Sequence, residues 1–288
     1  LKNGYVTSRG KAYAEGNAHV TIWPNASSKD QWEDTGYSGP DDKAYDSSQS
    51  LSDALKDAAD SVEKFDETLD FIEKWFDESP YITARTSGST GRPKPIRLLK
   101  SDMRVSAMST NRFFQITEKS KLLCPLSADY IAGKMMIVRA IMAGAQLWME
   151  RPDNTPVHDD YGQIDLIAVV PSQVNHILSD PDIFGNIKYT LIGGAQLSSG
   201  LSRRIVESGI KAYVSYGMTE TCSHVALRKV EDSPEEIYEG MPDIYFSKDT
   251  RDCLIIRSDS RSFKKLYTND IVDLRDERHF SWKGRIDN

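Results

Sequence analysis

Four short apolar runs, at residues 146–149, 166–170, 189–192 and 211–214, constrain the fold more than anything else in the chain. Each is bounded by turn residues, and the stretches between them are long enough for helices. A run that is apolar at every position, and not only at alternate ones, suits a strand covered on both faces. Strands and helical lengths alternating in this way predict an α/β fold with a mostly parallel sheet. Residues 121–126 form a further apolar run, and residues 135–141 suit a helix following it.

The flanks have a different texture. Residues 1–49 are polar and rich in Gly, Ser, Asp and Asn, with one strand-like stretch at 20–23; an irregular N-terminal segment is expected. From Ser50 onward, Leu51, Leu55, Ala58, Val62, Phe65, Leu69, Ile72 and Phe76 recur at helical spacing and open an α/β core over 50–228. Beyond it, residues 252–257, 271–274 and 279–282 are short strand-like runs between charged turns. They predict a small antiparallel, barrel-like β subdomain over 229–288.

Composition narrows the partners. Hydrophobic residues make up 39% and charged residues 27% of the 288, which suffices for a globular core. The net charge of −7 argues against nucleic acid as a principal partner. No apolar run approaches the ~20 residues of a membrane span. The opening residues lack the apolar stretch of a secretory signal. Cys124, Cys222 and Cys253 are widely spaced, and a reduced, cytoplasmic setting is expected.

The chemistry concentrates in a few segments. Thr86, Ser87, Gly88, Ser89, Thr90 and Gly91 are followed by Arg92, Pro93 and Lys94. The glycines let the backbone approach closely, so N–H groups and hydroxyls can face a polyphosphate while Lys94 adds a point charge. Two residues separate the glycines and Pro95 follows the lysine, so the Walker pattern is not met. Taken alone, the segment also fits a flexible surface turn. Gly193, Gly194 and Ala195 follow an apolar run, as a turn approaching a planar ligand would. Tyr216, Gly217, Met218, Thr219 and Glu220 gather an aromatic face, a glycine, a hydroxyl and a carboxylate that suits Mg²⁺. Asp270 is placed to accept hydrogen bonds from a ribose diol.

Together, and in this order, these segments resemble the acyl-adenylate-forming superfamily of acyl-CoA synthetases, luciferases and peptide-synthetase adenylation domains. The resemblance covers residues from about 80 to 288. It implies the large N-terminal domain of those enzymes, with ATP, Mg²⁺ and CoA as cofactor and co-substrates and a small-molecule carboxylic acid as partner. In the implied scheme the 86–94 loop holds the β- and γ-phosphates, with Lys94 as a catalytic cation. Glu220 holds Mg²⁺ and Thr219 contacts the α-phosphate. The segment from Gly193 to Ala195, with Tyr216, lines adenine, while Asp270 and Arg285 fix the ribose. Asn269 departs from the usual Thr-Gly-Asp, away from the carboxylate.

Within the superfamily, Thr268-Asn-Asp270, the Gly284-Arg-Ile-Asp-Asn288 ending and Val170-Pro-Ser-Gln173 look most like the o-succinylbenzoate–CoA ligases of menaquinone biosynthesis. The acyl-pocket region then falls near Tyr130, with Lys134 and Arg139 after it. A cation there suits a dicarboxylate, since a desolvated carboxylate needs a partner. Arg139 fits such a role or that of a helix-surface residue, and His224 fits either an acid contact or a structural one. The resemblance also implies a C-terminal lid domain beyond the hinge at Asp287 that the 288 residues do not contain. Nucleotide binding with weak or no turnover is therefore expected. Two alternatives stay open: an adenylation domain loading a carrier protein, and a non-catalytic AMP-binding protein.

Overall fold

The computed structural model describes residues 5–9, 19–23, 66–85, 95–157 and 161–287. The glycine-rich segment 86–94 and most of the irregular N-terminal segment lie outside them.

The expected α/β fold is present. Its centre is a run of parallel strands: β5 (Lys121–Cys124), β6 (Gln146–Met149), β7 (Leu166–Val169), β8 (Thr190–Ile192) and β9 (Ala212–Met218). Along the sheet their order is β6-β5-β7-β8-β9. Successive residues on these strands sort into two separate cores. Leu122, Cys124, Leu147, Leu166, Ala168 and Leu191 belong to one core, while Leu123, Trp148, Ile167, Val169 and Ile192 belong to the other. That is what full apolar runs require, because neighbouring side chains on a strand point to opposite faces.

The first core is closed by α1 (Asp66–Phe76), α2 (Lys100–Phe114) and α3 (Ile131–Ala143). The second is closed by α4 (Pro171–Ile177) and α6 (Ser199–Ser208), with the short α5 (Pro181–Gly185) beside them. At one edge β6 pairs with β2 (His19–Trp23), which matches the stretch expected at 20–23, and β2 pairs with β1 (Tyr5–Arg9). Among the described residues no helix is long and apolar enough to cross a membrane.

The antiparallel strands expected over 229–288 are a continuation of the same sheet. β9 pairs antiparallel with β10 (Ser223–Lys229), and the order runs on through β11 (Ile237–Gly240), β15 (His279–Arg285), β14 (Lys265–Leu274), β13 (Cys253–Ser258) and β12 (Ile244–Lys248). β3 (Tyr81–Arg85) and β4 (Pro95–Leu99) form a separate antiparallel pair whose ladder closes at Arg85 and Pro95, the residues flanking segment 86–94.

Sequence reasoning missed α2, and the helix itself shows why. Its buried face carries Asp102, Ser106, Thr110 and Asn111 beside Met103 and Ala107. A search for apolar periodicity passes over such a face. Several of the polar groups find tertiary partners: Ser106 Oγ donates to Cys222 O at 3.0 Å, and Asn111 Nδ2 donates to Arg139 O at 2.8 Å.

Candidate functional site

A cavity of about 730 Å³ opens where the carboxyl ends of the parallel strands meet the antiparallel extension. The segments leaving the strands form its walls. Pro125, Leu126 and Ser127 follow β5, Val170 follows β7, Gly193, Gly194 and Ala195 follow β8, and residues 215–219 finish β9. The chain passes from β6 to β7 by crossing over β5, so the order reverses between β5 and β7. Open α/β sheets leave a crevice for ligands at such a reversal, since the connections on either side diverge to opposite faces.

Glycine is required at two of the expected positions. A Cβ on Gly217 would lie 2.3 Å from Ser223 O and 2.5 Å from His224 Cα, both main-chain atoms of the neighbouring strand. Gly194 has φ +83°, a left-handed conformation that side chains disfavour. Between Gly217 and His224 the chain turns through Cys222 at φ 54° and Ser223 at φ 94°. This turn is held by outside partners: Arg261 Nη1 donates to Thr221 O at 2.6 Å, and Ser106 holds Cys222 O.

The turn delivers Ser223 and His224 to the cavity beside Arg139. Arg139 is 1% exposed, which overturns the helix-surface alternative. Its Nη2 donates to Ser223 Oγ at 3.3 Å and lies 3.5 Å from His224 Nδ1. Nε has no hydrogen-bond partner, and no carboxylate pairs with the guanidinium among the described residues. Burial pushes its pKa down to about 10, leaving it charged at neutral pH.

The protonation of His224 follows from its neighbours. Thr110 Oγ1 donates its only proton to Ser106 O at 3.0 Å and sits 3.1 Å from His224 Nε2. The imidazole must therefore donate from Nε2, which leaves the Nδ1 lone pair facing Arg139. Burial first, then the Arg139 and Arg261 charges, holds the ring pKa well below its usual value. His224 is a neutral acceptor beside a guanidinium.

Lys134 does not share this place. Residues five apart on a helix, at about 100° each, point roughly 140° apart. Its Nζ donates to Ala128 O and sits 5.2 Å from the Phe71 ring centroid, so the expected pocket cation at this position is corrected to a packing role. Tyr130 lines the cavity, as do Tyr216, Gly217, Met218 and Thr219. Glu220 follows Thr219 on a single 3₁₀ turn (Thr219–Thr221) and is exposed.

Asp270 lies behind Tyr216. Its carboxylate accepts from Tyr216 Oη at 2.8 Å and from Trp282 Nε1 at 3.0 Å. Arg285 approaches it at 3.8 Å but is engaged with both oxygens of Asp287 at 2.9 Å. Asp270 and Arg285 thus stand next to the cavity without lining it, whereas Trp282 lines it directly. Sequence reasoning missed Trp282 and also Arg85, Asn154, Gln173 and Tyr238. The only local signal for any of them was the position of Gln173 three residues after Val170.

A family profile described as AMP-binding enzyme matches residues 25–242. The chain belongs to that family. Among curated proteins it is 31% identical over 158 residues to a 2-succinylbenzoate–CoA ligase of Enterococcus faecalis, covering 53% of this chain and 33% of the relative. The ligase of the same name from Bacillus subtilis is 26% identical over 188 residues, covering 64% and 37%. The chain spans about a third of the length of the curated relatives it matches. Among solved structures, an AMP-forming acyl-CoA synthetase/AMP-acid ligase II-like protein from Dyadobacter fermentans superposes with a TM-score of 0.70 at 34% identity, over 78% of this chain and 66% of that one. The o-succinylbenzoate coenzyme A synthetase of Bacillus subtilis, in complex with ATP and magnesium ion, shares the fold at a TM-score of 0.61 and 21% identity, over 70% and 49%.

Proposed function

We propose that this chain forms the nucleotide- and acid-binding body of an ATP-dependent, AMP-forming acid–CoA ligase whose acid is a dicarboxylate of the o-succinylbenzoate type. One observation carries the reading. Arg139 is a buried, charged guanidinium on the cavity wall with no carboxylate partner among the described residues. An isolated buried charge is costly, and a ligand carboxylate with bidentate geometry offsets that cost. The likeness to 2-succinylbenzoate–CoA ligases supports the same choice.

The reaction has two steps. A carboxylate oxygen of the acid attacks the α-phosphorus of ATP, forming the acyl–O–P bond as the bond to pyrophosphate breaks. The sulfur of CoA then attacks the acyl carbon, forming the thioester and releasing AMP. In both steps the protein mainly positions groups and neutralises charge. Arg139 holds the second carboxylate, leaving the reacting one free for ATP. Residues 193–195 and Tyr216 flank the adenine, Thr219 donates to the α-phosphate, and Asp270 takes the ribose on the lone pairs left by Tyr216 and Trp282. Lys94 and the loop from Thr86 to Gly91 hold the outer phosphates.

Glu220 suits Mg²⁺ as a single exposed carboxylate, because this ion keeps waters and takes further ligands from phosphate oxygens. No ready-made cage of three His, Cys, Asp or Glu side chains exists among the described residues. When bound, the ion neutralises charge on the departing pyrophosphate.

Acid-dependent ATP–pyrophosphate exchange over a panel of acids tests the reading. Slow exchange with o-succinylbenzoate, and none with benzoate, is expected. Tight AMP binding with no exchange for any acid would replace the ligase by a non-catalytic AMP-binding protein.

A further inference from the structure

Gln173 occupies the third position of α4, and Val170 is the residue that caps it. Its Oε1 accepts from Val170 N at 3.0 Å, the reach-back half of a capping box. Glutamate serves that purpose equally well, and on an exposed helix end the choice between them is nearly neutral. Here the side chain is 2% exposed and its amide nitrogen is used twice. Nε2 donates to Pro125 O at 2.9 Å and to Asp153 O at 2.7 Å. The amide orientation is settled by chemistry: Val170 N can only donate and the two carbonyls can only accept.

Those three main-chain atoms belong to separate segments of the cavity wall. Pro125 begins the loop after β5, Asp153 lies in the loop after β6, and Val170 follows β7. They meet at the reversal of strand order, beyond the last paired residues of β5, β6 and β7. We infer that Gln173 is a positioning residue that sets the width of the acid-binding half of the cavity, its two amide hydrogens tying the 125–127 and 152–154 loops across the crevice. Leu126, Ser127 and Asn154 line the cavity from those loops, so their placement depends on the tie. This inference rests on the acid-binding reading above for its functional consequence, though the tie itself does not.

Gln173→Glu separates the two roles, because the carboxylate keeps the cap and cannot donate. Two measurements are made on the full chain: amide hydrogen exchange, and calorimetric affinity for o-succinylbenzoate and for AMP. Losing both donors is expected to speed exchange in 126–127 and 153–155 by about tenfold and to weaken o-succinylbenzoate by about tenfold, with AMP changed less than about twofold. Gln173→Met, which loses the cap as well, is expected to add faster exchange at Val170 and the first turn of α4. Unchanged loop exchange in Gln173→Glu would overturn the tie and leave only a cap. Faster loop exchange with unaltered acid affinity, or parallel loss of acid and AMP affinity, would overturn the positioning role. If the wild-type chain binds no acid at all, the acid-binding reading and the positioning role built on it both fail, while loop exchange still decides the tie.

Discussion

The Nη2 atom of Arg139 faces the Nδ1 lone pair of His224 across 3.5 Å, one residue charged and the other held neutral on the same cavity wall. The two come from different elements, α3 and β10, and Thr110 on α2 fixes the tautomer from behind. A guanidinium oriented by a neutral acceptor, with no carboxylate beside it among the described residues, is ready for an anionic ligand.

Arg139→Gln should weaken o-succinylbenzoate by about a hundredfold, the scale of a charged hydrogen-bonded pair, while AMP affinity stays within about twofold. Arg139→Met should raise the melting temperature of the ligand-free chain, because it removes an uncompensated buried charge. Calorimetry and thermal melts check both. Equal loss of acid and AMP affinity in Arg139→Gln would show that the residue supports the whole site and does not contact the acid.

The pH dependence of stability carries a signature of His224. Its folded pKa is depressed, so the unfolded chain takes up the proton first as pH falls through the usual histidine range near 6.5. This group's contribution is complete above about pH 6.5 and is lost below it, by at most about 1.4 kcal/mol per pH unit. Urea unfolding of the wild type and His224→Asn at pH 7.5 and 5.5 measures the difference. Identical pH slopes would mean that the ring titrates normally.

Gly217→Ala should cost about 1–3 kcal/mol, as overpacking against main chain that cannot move aside. The push falls on Ser223 and His224, so acid affinity should drop along with the urea midpoint. An unaltered midpoint would show that the β9–β10 contact yields more easily than its geometry indicates.

Asp270→Asn and Glu220→Gln should affect the nucleotide differently. Asp270→Asn removes the charge and leaves a single acceptor oxygen where Tyr216 and Trp282 use two, and should lower AMP affinity about tenfold. Glu220→Gln should leave AMP affinity unchanged and weaken ATP only when Mg²⁺ is supplied. Fluorescence titrations with and without EDTA read this out, and a Glu220→Gln chain that lost AMP affinity would contradict an ion-holding role.

Much of the site was legible because its residues are crowded in sequence. Tyr216 through Thr219 form one strand end, and Gly193 through Ala195 one turn, so each group reaches the cavity wall as a unit, and the family resemblance joined the two. Lys134 misled because it follows Tyr130 on the same helix as Arg139, and helical rotation turns it away from Arg139. Trp282 and Tyr238 escaped because an aromatic residue on a short strand looks the same whether it packs a core or walls a cavity.

What the chain's order of residues determined by itself was the local and periodic part: apolar runs that must be covered on two faces, glycines where the backbone bends or touches, and a grouping of hydroxyls and carboxylate after β9. Those follow from interactions over a few residues, which spacing records directly. Only the tertiary structure decided that Arg139 is buried without a carboxylate partner among the described residues, that His224 is neutral with its lone pair toward Arg139, and that Gln173 spans three loops. Each of those depends on groups far apart in sequence, 85 residues for Arg139 and His224 and 48 for Gln173 and Pro125. Desolvation and hydrogen-bond satisfaction act through space, and no spacing along the chain encodes them.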